Sequence, residues 1–183
     1  MTTAPSAAQA AQRRTKTPEQ TAMYLIEFHL LLLILVANGA PILGTALSKE
    51  HGAWPVDGGR LWSDGRPALG HSKTWRGVLF ALGATAAMAW LLGLPVPTGL
   101  TVGAFAVLGD FLSSFSKRRL GLAPSSMALG LDQIPESLLP LWVVKGYYGL
   151  TWSDILEILT TFIILELLLS RILYRLHIRD RPY

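Results

Sequence analysis

From Arg76 to Lys117 the chain carries one ionisable side chain, Asp110, set in apolar sequence just before Ser113, Ser114 and the run Ser116-Lys117-Arg118-Arg119. A carboxylate at membrane depth is costly, and one that persists there points to a functional site. On a helix, Asp110, Ser113, Ser114 and Lys117 fall at i, i+3, i+4 and i+7 and share a face. A carboxylate, two hydroxyls and an ammonium then point the same way. A Gly/Ala/Ser/Pro loop follows and leads to Leu131-Asp132-Gln133. If that loop folds back, Asp132 joins Asp110, and two carboxylates with water and a substrate phosphate make a typical Mg²⁺ site. The structural alternative is an ion pair of Asp110 with Lys117 or an arginine that only stabilises a bundle.

A second polar cluster precedes it. Residues 54–77 read Trp54-Pro-Val-Asp57-Gly-Gly59, then Trp62-Ser-Asp64-Gly65-Arg66, then Gly70-His71-Ser-Lys73-Thr74-Trp75-Arg76-Gly77. Glycines let backbone approach a ligand closely, and Lys73, Thr74 and Arg76 offer a cation, a hydroxyl and a planar fork for phosphate oxygens. The next apolar block begins directly after them, so a helix N-terminus adds its own preference for anions. A basic loop resting on anionic lipid is the simpler alternative. The pattern G-x-x-x-x-G-K-[ST] is absent, which excludes a P-loop. There are no cysteines, which excludes disulfides, thiolate metal sites and cysteine nucleophiles. No Ser-His-Asp or other His-centred constellation stands out.

These residues have to be positioned by membrane-spanning helices. About half of the 183 residues are apolar, 15% are charged and the mean hydropathy is +0.39. The apolar residues lie in blocks too long and too poor in charge for a soluble fold. The blocks cover residues 22–47, 77–94, about 98–116, 134–150 and 155–176. Pro95 and Pro97 between the second and third force a helical hairpin. Pro135, Glu136, Pro140 and Lys145 interrupt the fourth, which reads as a broken or re-entrant helix. The expected fold is all-α, an integral membrane bundle of about five transmembrane helices with two functional loops on one side. The first twenty residues form a disordered tail in this reading, and residues 21–183 form a single membrane-embedded domain.

The basic residues orient the bundle. Lys49, Arg60, Arg66, Lys73 and Arg76 lie in the first loop, Lys117, Arg118 and Arg119 in the second, and Arg171, Arg175, Arg179 and Arg181 in the C-terminal segment. With five spans these twelve of the sixteen basic residues share one side, which the positive-inside rule places in the cytoplasm of a cell whose inner membrane holds the protein. The tail's Arg13, Arg14 and Lys16 are discordant. The sequence pI of 9.6 is accordingly a topology signal, with nucleic acid not an expected partner.

Together the two clusters resemble a known signature. Gly109-Asp110, Ser114-x-x-Lys117-Arg118-Arg119-x-Gly121 and Leu131-Asp132-Gln133 look like the motif of membrane CTP:phosphatidate cytidylyltransferases, and above all of their short relatives, the CDP-archaeol synthases. Asp57-Gly, Asp64-Gly65-Arg66 and Gly70-x-x-Lys73-Thr74-Trp75-Arg76-Gly77 resemble the other block of that group, as do Asn38 and Pro41 after the first span. The resemblance covers about residues 38–132 and implies a CTP-dependent cytidylyltransferase that converts a lipid glycerophosphate, phosphatidate or archaetidate-like, into a CDP-activated lipid with release of pyrophosphate. It implies that Asp110 and Asp132 hold a divalent metal, Mg²⁺, and that Lys117 acts with them in catalysis. Asn38, Asp57, Lys73, Thr74, Arg76, Ser114, Arg118 and Gln133 are the residues it assigns to substrate, and CTP and a lipid phosphate in the bilayer are the implied partners. The chain departs from the pattern where Pro135 replaces an acid three positions after Asp132, with Glu136 next, and where His71 replaces an aspartate before Lys-Thr.

The implied chemistry suits these residues. A phosphate monoester is largely ionised at neutral pH, its second pKa being about 6, so no strong base is needed. Fixed cations and metal relieve repulsion between anions and stabilise the leaving group. Glu27 and His29 near the outer end of the first span read as snorkelling or mutually paired, and Glu166 as an interhelical hydrogen bond or a contact in a homodimer. Trp54, Trp62, Trp75 and Tyr147-Tyr148 read as interfacial anchors. Two rivals remain: a catalytically degenerate scaffold that keeps the fold, favoured by Pro135, and a carrier using Asp110 as an ion site, disfavoured by the lack of repeat symmetry.

Overall fold

The computed structural model describes residues 18–48, 54–123, 126 and 128–176. The N-terminal tail, Lys49 and the basic residues Arg179 and Arg181 lie outside these. The described chain is all-α, as the apolar blocks led us to expect, with α1 Pro18–Ser48, α2 Trp75–Leu91, α3 Val96–Arg119, α4 Gln133–Tyr148 and α5 Trp152–Arg175. Among the described residues there is no strand, and two isolated bridges, Pro55 with Thr74 and Leu61 with Pro67, tie the first loop to itself.

Each boundary has a local cause. Thr74 is the N-cap of α2, its Oγ1 accepting the Gly77 N–H. Pro95 and Pro97 stop α2 from running on and open α3, where a missing N–H costs nothing. Thr151 and Asp154 form a capping box at the start of α5, and Gly149 at φ 67° closes α4. Lys117, Arg118 and Arg119 fill the last turn of α3, where cations complement the helix dipole. The fourth block differs from expectation: α4 is continuous rather than broken. Pro135 sits in the first turn, where no N–H partner is lost, and Pro140 is accommodated inside the helix.

The helices form a closed ring, α1–α2–α3–α4–α5 and back to α1, with α1 also packed against α3 and α4. Leu30, Leu33 and Ile34 of α1, Val102 of α3, Leu141 and Val144 of α4, and Ile158 and Phe162 of α5 make its apolar centre. Small residues set the α2–α3 spacing: a side chain at Gly99 or Gly103 would collide with Thr85, the close approach that drives helix association in lipid. Large apolar side chains cover the outside, among them Leu79, Trp90, Leu112, Leu156, Ile164 and Leu168. Segments Pro18–Gly44 and Val96–Arg119 are by themselves long and apolar enough to cross a bilayer. Helix α2 is apolar but shorter, and α5 has the length while carrying Glu157, Glu166 and Arg171. Glu27 does not snorkel, since it is buried against the bundle.

Candidate active site

The first loop is folded around Asp57. Its Oδ2 accepts the N–H groups of Leu69 at 2.8 Å and Gly70 at 3.1 Å, and its Oδ1 accepts that of Gly59 at 2.9 Å. Burial acts to raise the Asp57 pKa, and the amides of Leu69, Gly70 and Gly59 outweigh it, so the carboxyl titrates below its ordinary 3.8. Gly70 is buried at φ 100°, a conformation few other residues adopt, and the turn there leads directly to Lys73. Asp57, expected to meet substrate, thus organises the loop that presents Lys73 and Thr74.

The same loop is strapped to the end of α3. Arg66 Nη1 donates to the carbonyl of Arg119 at 2.8 Å and, at 3.4 Å, to that of Arg118, which are orphan carbonyls of the last helical turn. Arg119 answers with bonds to Asp64 Oδ1 at 2.5 Å and to the Pro67 carbonyl at 2.6 Å. Its guanidinium also lies 4.9 Å from the Phe115 ring, whose other neighbour is Trp62, edge-on at 5.1 Å. Partial desolvation raises the Asp64 pKa, but the Arg66 N–H and the Arg119 charge outweigh it and hold it below 3.8. Neither this strap nor its partners Asp64, Arg66 and Arg119 was foreseen as a unit. The opposite charges in the two loops were the available signal.

The strap brings the two clusters together. Lys73 Nζ lies 2.6 Å from Asp110 Oδ1, and Lys117 Nζ lies 2.6 Å from Asp132 Oδ1. Lys117 therefore does not pair with Asp110 on its own helix but reaches the returning loop, where it also donates to the Ser126 carbonyl at 2.9 Å. Asp132 Oδ2 accepts the Ala128 N–H at 2.9 Å, and Gln133 Oε1 accepts that of Gly130 at 2.8 Å. The loop does fold back, and Asp132 faces α3. Ser113 and Ser114 are buried on the same stretch of α3. Arg118 is 3% exposed and gives one bond, Nη2 to the Ala123 carbonyl at 2.9 Å, while its Nε and Nη1 have no hydrogen-bond partner. A buried guanidinium with two unused donors is a fork for an anion's oxygens.

Other expected site residues lie apart from these pairs. Asn38 donates to the Ile34 carbonyl at 3.0 Å and lines a cavity of ≈ 30 Å³ between α1 and α5 with Phe162, Glu166 and Ser170. Glu166 thus faces into the bundle. Arg76 stands in the first turn of α2 and His71 is exposed in the loop. As to a metal, the carboxylate oxygens of Asp110 and Asp132 are the hard donors that Mg²⁺ takes, usually one or two of them beside phosphate and water. Among the described residues no three His, Asp or Glu side chains stand close enough to hold a metal between them. Asp110 and Asp132 are the right donor type for such a cation, and in this arrangement each is held by a lysine, Lys73 and Lys117.

Comparison with known proteins finds related sequences and a related fold. The family model for CarS-like CDP-archaeol synthase matches residues 22–183. A CDP-archaeol synthase of Hyperthermus butylicus is 40% identical over 134 residues, 66% of this chain and 77% of that one. One from Sulfurisphaera tokodaii is 34% identical over 170 residues, 88% and 98% of the two chains. A solved structure described as an intramembrane enzyme for archaeal membrane lipids biosynthesis superposes with a TM-score of 0.69 at 30% identity, covering 78% of this chain and 90% of its own.

Proposed function

The chain belongs to the CDP-archaeol synthase family, membrane-embedded CTP-dependent cytidylyltransferases acting on a lipid phosphate, and from that premise we propose how this chain works. Its acceptor is a glycerophosphate lipid with archaeal ether chains, and phosphatidate is the ester alternative. The phosphate oxygen of the lipid attacks the α-phosphorus of CTP, the bond to the β-phosphate breaks, and pyrophosphate leaves.

The observation that carries this reading is the pair of lysine–aspartate contacts, Lys73 with Asp110 and Lys117 with Asp132, which join two loops from different parts of the chain to α3. Two anionic substrates, CTP and the lipid phosphate, cannot gather without fixed positive charge, and Lys73, Lys117 and Arg118 supply it at one end of the bundle. The unused Nε and Nη1 of Arg118 suit a phosphate oxygen pair. Thr74 caps the N-terminus of α2, whose dipole favours another phosphate nearby. Asp110 and Asp132 would hold Mg²⁺, which supplies charge neutralisation and orientation of phosphate oxygens. The acceptor phosphate arrives ionised, so the chain's work is to position anions rather than to move a proton.

The strap of Arg66, Asp64 and Arg119 holds the first loop against the end of α3 on the side we assign to the cytoplasm, where CTP is available. Purified protein incubated with labelled CTP, Mg²⁺ and either archaetidate-like or ester phosphatidate tests the reading. Pyrophosphate release and a CDP-lipid product are expected, faster with the ether lipid. Absence of turnover with every glycerophosphate lipid by folded protein would overturn it.

A further inference from the structure

The first loop carries an apolar edge that the ion pairs do not use. Trp54, Leu61 and Trp62 are all exposed, Trp54 by 79% and Leu61 by 65%, and large apolar side chains displayed together call for a covering surface. Arg60 stands exposed beside them. The loop's acids are engaged within the fold: Asp57 accepts three amides of the loop, and Asp64 accepts from Arg119 and from the Arg66 N–H. Its other cations are engaged as well, Lys73 with Asp110 and Arg66 with carbonyls of α3. The edge at Arg60 thus presents positive charge and apolar surface together.

The helices beneath set the level of this edge. Helix α3 is 24 residues long, about 36 Å at about 1.5 Å per residue, against a hydrocarbon core of about 30 Å. Leu108, Leu112, Phe115 and Arg119 fall at i, i+4, i+7 and i+11 and share one face, on which Leu108 and Leu112 are exposed. With Val96 at one boundary of the core, Phe115 and Arg119 come at the other. Trp62 packs edge-on against that Phe115, and the Arg119 guanidinium lies 6.0 Å from the Trp62 ring. The hairpin closed by the Leu61–Pro67 bridge therefore continues the lipid-facing stripe of α3 into the headgroup layer. Helix α2 repeats the arrangement. Trp75, Leu79 and Trp90 are exposed on one of its faces, the two tryptophans about 22 Å apart along the axis. The Trp75 N–H donates to the Trp54 carbonyl at 3.0 Å, which sets Trp54 at the same level.

We propose that Arg60, Leu61 and Trp62 are a bilayer-docking tip. The leucine and tryptophan enter the headgroup layer beside α3, and the guanidinium binds the phosphate of an anionic membrane lipid other than the substrate. Tryptophan favours this depth, and an arginine beside an anionic surface adds attraction. The tip is joined to Lys73 through the loop that Asp57 ties together, so docking also steadies the ammonium that meets Asp110. Docking itself is independent of the reaction, and only its effect on nucleotide binding rests on the transfer proposed above.

The chain has no cysteine, so a nitroxide on Ser63→Cys, next to Trp62, reports the depth of the tip in the full-length protein by electron paramagnetic resonance. In phosphatidylglycerol vesicles the label is expected to relax more with oxygen than with a water-soluble nickel chelate. Arg60→Gln and Leu61→Ser are each expected to raise its access to the chelate at least twofold. Both side chains are exposed, so an unchanged melting temperature is expected to show that the bundle is intact. CTP is expected to bind several-fold more weakly to Leu61→Ser in the same vesicles, and unchanged affinity overturns the link to Lys73. A parent label open to the chelate, or equally shielded in phosphatidylcholine and phosphatidylglycerol, overturns the proposal. Spin–spin broadening between labels, the mark of a second copy over the tip, overturns it too. A docked label on a chain that binds no CTP overturns the proposed reaction and leaves the docking standing. A water-exposed label on a chain that binds CTP overturns the docking alone.

Discussion

Lys73 and Asp110 are 37 residues apart in the chain, yet their charged atoms meet at 2.6 Å. The contact joins the loop that precedes α2 to the middle of the α3 face, and the hairpin between those helices makes it short. Both partners are part-buried, so the pair is less screened than one on the surface.

The contact predicts unequal effects of replacing its members. Asp110→Asn removes the proposed metal ligand and is expected to lower cytidylyl transfer by roughly 10²–10³-fold, the scale seen when a charge-stabilising group is lost. Lys73→Arg keeps the charge and is expected to retain part of the activity, while Lys73→Met loses it. Steady-state assays with labelled CTP check this, and full activity in Asp110→Asn would remove Asp110 from the site.

Asp64 and Arg119 hold the first loop to α3 from outside the site. Arg119→Ala also strips the Pro67 carbonyl and the Phe115 ring of a partner. Its expected signature is a several-fold rise in the KM for CTP with kcat changed less. Proteolysis within residues 54–74 should quicken in the same variant. A double-mutant cycle with Asp64→Ala should show only weak coupling, as for an exposed pair.

Gly109→Ala tests the α3–α4 contact. The added methyl has no room against the Pro135 carbonyl, and overpacking of this kind costs typically ~1–3 kcal/mol. We expect a lower melting temperature in detergent and loss of activity. Gly83→Ala, where a Cβ meets nothing, is expected to leave both unchanged.

The pH dependence of the first loop follows from Asp57. Its folded-state pKa is below the ordinary 3.8 because amide donors favour the ionised form over the effect of burial. The stability this adds is complete above 3.8 and is lost as pH falls through the depressed value. Protease protection of residues 54–74 should therefore fall at acid pH below 3.8, and Asp57→Asn should be less protected at neutral pH with a flatter acid response.

Much of this was legible in the chain itself. Five apolar blocks became five helices, the prolines at 95 and 97 made the hairpin, and Asp110 with Lys117 marked the polar face of α3. What could not be read was which cation meets which carboxylate. Asp110 pairs with Lys73 rather than with Lys117, because Lys117 extends past the helix end to a loop whose path depends on Asp132, Ala128 and Ser126. The continuity of α4 was likewise hidden. Pro135 falls in the first turn only because Asp132 is the N-cap, and no periodicity announces that boundary. The placing of Glu136 depends on the helix register against Gly109, which single-sequence patterns do not encode.

The closed ring has a consequence for how the protein is made. Of the five described helices, α1 is made before the other four and packs against each of them, whereas α5, which also rests on α1, follows them. The side of α1 that α5 covers, with Asn38 in its wall, stays open to lipid until α5 has been made. A chain released before α5 would assemble four helices and keep an unsealed seam, so quality control of the nascent protein is expected to act at α5.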